Sequence, residues 1–169
     1  MGDMYRNSEW GLNMDEKREE LEHEDARFLL ILENNDDTDK NTTTDTNNND
    51  NDSSTATTPK VLGFAHFRYE PSETNPHTPI TYLYELQISQ TSQGHGQSLM
   101  TLIELLSLQF QMRQVVLTVF KCNTGAMRFY LNKLKGYAVD ESSPSNFEGG
   151  ENELAEYEIL SKRIGLVGG

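Results

Sequence analysis

A carboxylate in the middle of an apolar strand is the first residue that needs explaining. In Ile80-Thr81-Tyr82-Leu83-Tyr84-Glu85-Leu86-Gln87-Ile88, Glu85 sits among large apolar and aromatic side chains. An unpaired carboxylate there would be costly to bury, so such a residue is paired or functional. Tyr82 and Tyr84 fall on one strand face at period 2, which suits a binding wall or ordinary packing equally. Directly after this strand, Ser89-Gln90-Thr91-Ser92-Gln93-Gly94-His95-Gly96-Gln97 runs into an amphipathic segment. A glycine-rich turn feeding a helix start exposes backbone N–H groups and the positive end of the helix dipole, which suits a phosphate or pyrophosphate. Gly94 and Gly96 lack Cβ and let a ligand approach the backbone. The turn is neither a P-loop, since no Gly-Lys-Ser/Thr follows, nor a full dinucleotide fingerprint, since the third glycine is missing. An ordinary strand-to-helix turn would read the same way. His23, His66, His77 and His95 show no metal-ligand spacing, so no metal is expected. Cys122, the single cysteine, is expected to be a buried or half-buried small residue.

The elements that must hold these residues follow from periodicity. A short charged helix is predicted over 13–24, with Asn13 as N-cap and Glu16 completing a capping box. Strands are predicted at 26–33, 60–70, 80–88, 114–120, 136–141 and 154–163. Helices are predicted at 95–112, from Leu99, Leu102, Ile103, Leu106 and Phe110, and at 123–135, with Gly136 as its stop. Hairpins first and a strand–helix–strand crossover later imply an α+β chain, a mixed sheet with helices on its faces. Residues 34–59 hold six Asp, one Lys and almost no apolar side chains. They read as a disordered Asn/Asp/Thr-rich insertion between two paired strands. The 169 residues are expected to form a single domain around it.

Charge narrows the partners. With 14 Lys plus Arg against 27 Asp plus Glu, the net charge is −13. That argues against direct nucleic-acid binding, which needs a basic surface, and favours a cationic partner. No apolar run approaches the roughly 20 residues that span a bilayer, and no signal-peptide stretch or myristoylation pattern opens the chain. A soluble intracellular monomer with no membrane partner is the expectation.

Strand, Gly-x-Gly turn, amphipathic helix, strand and Asn-led helix together resemble the acetyl-CoA site of the GNAT acetyltransferase superfamily. More specifically, Ser-Glu-Trp-Gly (8–11), Asp-Glu-Lys-Arg-Glu-Glu (15–20) and FAHFRYE (64–70) resemble segments of the NatD-type, histone-specific N-terminal acetyltransferases. So do YLYELQ (82–87), VVLTVFKCNTGAMRFY (115–130), DESSPS (140–145) and EYEILSKR (156–163), in the family's order. The resemblance implies the GNAT fold: a central mixed, mostly antiparallel sheet flanked by helices. It implies acetyl-CoA as co-substrate, with Leu86, Gln87 and Ile88 along the pantetheine arm, Ser92, Gln93, Gly94, His95, Gly96 and Gln97 around the pyrophosphate, and Asn123 bonding the cofactor. By residue type alone, Asn123 would equally be an N-cap. Tyr5, Trp10, Tyr82, Tyr84, Thr118, Ser142 and Tyr157 match peptide-site positions, and Glu70, Pro71 and Ser72 begin a loop that meets the peptide. Thr91 stands where the superfamily's turn usually carries Arg or Gln, so charge assistance to the phosphates is reduced.

The implied reaction is attack of an amine on the acetyl-CoA thioester, with Glu85 and Tyr84 as the catalytic residues. A free α-amine has a pKa of about 7.7–8.0, against about 10.4 for lysine, so losing its proton at pH 7 costs roughly 1 kcal/mol instead of roughly 4.6. A modest base, Glu85 through a water, would serve, and backbone N–H groups near Leu86 would meet the developing oxyanion. The implied substrate is a basic histone tail beginning Ser-Gly-Arg-Gly, held by Glu70, Asp140, Glu141, Glu148, Glu151 and Glu153, with cytoplasm and nucleus as the setting. Two alternatives stay open: a GNAT enzyme acting on lysine or a small amine, and a non-catalytic acyl-CoA or histone-tail binding module.

Overall fold

The computed structural model describes residues 13–33, 59–89, 94–147 and 155–165. Asn13 caps α1 (Met14–Glu22) by accepting from the Asp15 and Glu16 amides. Next come β1 (Arg27–Leu32), β2 (Val61–Pro71) and β3 (Pro79–Ile88), an antiparallel meander. Helix α2 (His95–Gln109) crosses over to β4 (Gln114–Phe120), which lies parallel to β3. A short helix α3 (Thr124–Arg128), a π-helical turn (Phe129–Lys133), β5 (Ala138–Val139), a 3-10 turn (Pro144–Asn146) and β6 (Tyr157–Arg163) complete the order. The six strands form one sheet in the order β1-β2-β3-β4-β6-β5, antiparallel at every pairing except β3–β4.

The core lies on one face of that sheet. Ala65 and Phe67 of β2, Leu83 of β3, Val115, Leu117 and Val119 of β4, and Leu160 of β6 meet Leu99, Met100 and Ile103 of α2. Each strand contributes alternate residues, as a one-sided apolar face requires. A buried hydroxyl pair ties helix to sheet: Ser107 donates to the Ile103 carbonyl at 2.7 Å and lies 2.7 Å from Thr81 Oγ1. The opposite face carries α1, which buries none of its residues and docks through charge. Lys17 reaches Glu85, Glu20 reaches His66, and Arg68 donates to the Glu20 carbonyl.

The predicted elements are found, with both long helices and several strands ending elsewhere than expected. Helix α2 stops at Gln109, not at 112, because Gln111 adopts φ 60° and the Met112 amide bonds the Ser107 carbonyl at 2.8 Å. That is a left-handed C-terminal stop, made here by Gln where glycine is usual. The single helix expected over 123–135 is a five-residue α-helix followed by a π turn. There the Leu134 amide bonds Phe129 O at 3.0 Å, five residues back. Leu134 has already left the helix, so Gly136, at φ 90°, lies beyond the end at Lys133 instead of making it. Cys122 is exposed, contrary to expectation: β4 ends at Phe120, and Cys122 lies in the turn before α3.

Candidate active site

Strands β3 and β4 begin as partners and then part. Their pairing runs from Ile80–Gln114 to Leu83–Leu117 and ends there. Beyond Leu83, the β3 backbone remains paired with β2 but has no strand on its other side among the described residues. The cleft at this fork is lined by Leu86, Thr118, Phe120, Asn123, Ala126 and Tyr130, among others.

The cause of the parting lies in β3 itself. Phe67 pairs with Leu83 and His66 with Glu85, so Tyr84 is an extra residue, a β-bulge. Two residues then oppose one, and the alternation of side chains is re-phased. Without it, Glu85 would follow Leu83 and point into the core. With it, Tyr84 and Glu85 both lie against the α1 face, opposite His66, while Leu86 and Ile88 return to pack on the core. The mid-strand carboxylate is therefore neither buried alone nor free. Its Oε2 lies 2.9 Å from Lys17 Nζ, and Gln87 Nε2 donates to its Oε1. Burial alone would lower the Lys17 pKa, but hydrogen bonds and charges from Glu20 and Glu85 outweigh it and hold the ammonium above its ordinary value.

Around this pair the aromatic residues form a wall. Tyr84 donates to Glu70 Oε2 at 3.0 Å, and the Arg68 guanidinium stands 4.5 Å from its ring centroid. Burial, then the neighbouring Glu70 carboxylate, pushes the Tyr84 phenol up to about 12, so it is a proton donor at neutral pH. Burial raises Glu70 as well, opposed by the Tyr84 bond and Arg68. The Tyr82 ring lies tilted against Tyr84, with centroids 4.9 Å apart, and its hydroxyl lies 2.6 Å from Thr118 Oγ1. His66, fully buried, is sandwiched between Phe28 at 4.9 Å and Tyr84 at 5.1 Å.

Several sequence-predicted residues thus converge. Glu70, Tyr82, Tyr84, Glu85 and Thr118 share one face beside the fork, and half-buried Tyr157 pairs with Phe120 at its β4 side. Leu86, Gln87 and Ile88 occupy the free-edged part of β3. Asn123 does cap α3, accepting from the Ala126 amide at 3.1 Å, and it lines the cleft as well. Gly94 precedes α2 at φ 113°, with no side-chain cap on the helix start. His95, Gly96 and Gln97 form the first turn of α2. Pro71 is exposed at the end of β2, and Ser72 is engaged within its turn with Thr74 and Thr78. Ser142 donates from both amide and hydroxyl to Asp140 Oδ1, so one oxygen of that carboxylate is already a structural acceptor. Tyr5, Trp10, Ser92, Gln93, Glu148, Glu151 and Glu153 lie outside the described residues. Sequence reasoning missed Lys17, Glu20, His66 and Arg68; the available signal was that Glu85 demanded a counter-charge.

Residues 6–137 match the sequence profile of the Acetyltransferase (GNAT) family. The chain belongs to that family. This GNAT chain has a fold similar to a Bacillus halodurans protein solved as a tetramutant, at 18% identity and a TM-score of 0.50 over 76% of this chain and 71% of that one. It is also similar to Arabidopsis thaliana NAA60 in complex with a bisubstrate analogue (18% identity, TM-score 0.48, 62% of this chain and 66% of that one). A third match is the paia N-acetyltransferase of Thermoplasma acidophilum in complex with coenzyme A (16% identity, TM-score 0.44, 61% and 54%). The chain thus spans about half to two thirds of the length of the last two.

Proposed function

We propose that this chain is an N-terminal protein acetyltransferase, moving an acetyl group from acetyl-CoA to the α-amine of a basic peptide, with the histone start Ser-Gly-Arg-Gly as substrate. The observation that carries the reading is the Tyr84–Glu85 bulge at the fork. It turns Tyr84 and a carboxylate to one face of β3, beside Tyr82, at a cleft where the β3 edge beyond Leu83 has no partner strand among the described residues.

The residues present suit acetyl-CoA. The free backbone edge of Leu86, Gln87 and Ile88 can pair with the amide-bearing arm as an added strand would. Gly94 and the amides of Gly96 and Gln97 stand at a helix start whose N-cap residue supplies no side-chain cap, a place suited to the phosphates, and Asn123 stands at the cleft wall. When bound, acetyl-CoA supplies an acyl carbon activated by its thioester. The amine nitrogen bonds that carbon as the C–S bond breaks, the sulfur leaves with the electron pair, and one amine proton passes through water to Glu85. Tyr84 stays protonated at neutral pH and lies next to Glu85 on the bulge; to protonate the leaving sulfur its hydroxyl would turn from Glu70 Oε2, to which it donates at rest. Most of the acceleration comes from holding amine and thioester together.

Specificity for an early Arg rests on Glu70. Tyr84 engages one of its carboxylate oxygens, and the other can accept from a guanidinium. The test is incubation with acetyl-CoA and a Ser-Gly-Arg-Gly peptide, with the acetyl group located by mass spectrometry. Acetylation at the α-amine is expected, with kcat/KM falling about ten- to a hundredfold when Arg becomes Ala. Equal turnover of the two peptides, or modification of an internal lysine at the same rate, would overturn the histone N-terminal reading.

A further inference from the structure

Glu85, the residue placed to accept the amine proton, is held by a cation before any substrate arrives. Lys17 Nζ lies 2.9 Å from Glu85 Oε2 and 2.6 Å from Glu20 Oε1. The ion pair is well shielded, with the two side chains 26% and 13% exposed. An amine brought to this carboxylate, directly or through one water, therefore enters the field of Lys17 as well, within the ~4–6 Å over which a like charge shifts a pKa.

The sign of that field matters. A solitary carboxylate beside the amine would favour the ammonium form, which binds well and cannot attack. A lysine ammonium locked on the same carboxylate cancels this pull. Resting on the N-terminal acetyltransferase reading, we propose that Lys17 is a positioning residue that keeps the incoming α-amine neutral and nucleophilic, at the expense of tighter ammonium binding. Helix α1 is thereby part of the active site and not only a cover for the sheet.

The surroundings of Lys17 are rich in charge, and each group bears on the outcome. On α1, Glu20 shares the ammonium. On β2, His66 lies 3.4 Å from Glu20, and Arg68 donates to the Glu20 carbonyl. On β3, Glu85 is the partner, with Tyr84 beside it and Gln87 on its second oxygen. Edge strand β1 supplies Phe28, an uncharged ring stacked on His66. Lys17 and Arg68 are thus the permanent cations of this cluster, and only Lys17 touches Glu85.

Two measurements test the idea. In the first, kcat/KM for the Ser-Gly-Arg-Gly peptide is followed from about pH 6.5 to 9.5 in the parent and in Lys17→Met and Lys17→Arg. One pKa unit in the amine is a factor of ten in its neutral fraction. Lys17→Met is expected to lose about tenfold at pH 7, with its alkaline rise displaced by about one pH unit, so that the two proteins converge near pH 9. Lys17→Arg, which keeps the charge, is expected to recover most of the rate at pH 7. In the second, calorimetry with coenzyme A present compares the amine peptide with an analogue whose terminal amine is replaced by hydroxyl. Lys17→Met should bind the amine peptide several-fold more tightly and the hydroxyl analogue unchanged. A loss of the same size at every pH, an unchanged rate at pH 7, or equal affinity changes for the two peptides would overturn the role of Lys17 and leave the parent reaction standing. A parent protein that acetylates no α-amine would instead overturn the functional reading, and this inference with it.

Discussion

The Tyr82 hydroxyl and the Thr118 hydroxyl lie 2.6 Å apart, bridging β3 and β4 at the point where the two strands cease to pair. This side-chain bond takes over from the backbone ladder and fixes how far the fork opens. Burial raises the Tyr82 pKa, opposed by this same bond, so the phenol stays protonated and available to donate.

A double-mutant cycle measures that bridge. Tyr82→Phe and Thr118→Val should each cost about 0.5–1.5 kcal/mol, as for a typical hydrogen bond, and their effects should be sub-additive in the double variant because one bond is lost only once. Denaturant unfolding of the four proteins reads the coupling; strictly additive losses would show that the hydroxyls do not interact.

The start of α2 offers a test of conformation without crowding. A Cβ built on Gly94 would meet nothing within 4 Å, yet its φ is 113°. Gly94→Ala should therefore act only through backbone strain, costing about 1–2 kcal/mol and weakening acetyl-CoA binding as the turn relaxes. Gly96 is the opposite case: a Cβ there would stand 3.3 Å from Phe129 Cζ, so Gly96→Val should displace the π turn. Calorimetric titration with acetyl-CoA that gives parent affinity for Gly94→Ala would separate the turn from the cofactor site.

His66 predicts an acid-side loss of stability. Burial lowers its pKa first of all, with Arg68 and Lys17 acting in the same direction and Glu20 and Glu85 against. A histidine depressed in the folded state contributes stability that is present above its unfolded value of about 6.5 and is lost as pH falls through the folded value. His66→Phe keeps the stack between Phe28 and Tyr84 and removes the titration. Its melting temperature should fall less than the parent's between pH 7 and pH 5; parallel curves would remove His66 from the acid response.

Residues 34–59 connect β1 to β2, and the flanks are already closed by the Glu33 amide on the Lys60 carbonyl at 2.8 Å. Replacing these 26 residues with a turn of about four should lower the loop-closure cost by about 1.5–2 kcal/mol. The melting temperature should rise by a few degrees with acetyl-CoA affinity unchanged; a fall would show that the insertion contributes contacts of its own.

What the sequence revealed and what it hid divide along physical lines. Strands β2 and β4 and helix α2 were legible because a one-sided core forces their apolar residues into regular periods. Glu85 was legible because it broke the pattern of its strand. The bulge that turns Glu85 to the right face was not, since an extra residue in one strand is defined by its pairing with another. Lys17 was hidden for a related reason: it is one charge in a helix full of charges, and only tertiary packing selects it as the partner. The Gln111 stop and the π turn went unseen because neither uses the glycine or proline that usually announces such geometry. Charge and the resemblance together place Asp140 at the peptide mouth, whereas sequence gives no sign that its Oδ1 accepts from both the amide and the hydroxyl of Ser142.

Cys122 has a practical consequence. It is the single cysteine of the sequence, its side chain is exposed, and it immediately precedes Asn123 at the wall of the fork. A thiol-reactive fluorophore would attach at one known position without any prior removal of competing cysteines. Dye emission from that position would report ligand entry into the cleft in real time, turning the unaltered sequence into its own optical sensor.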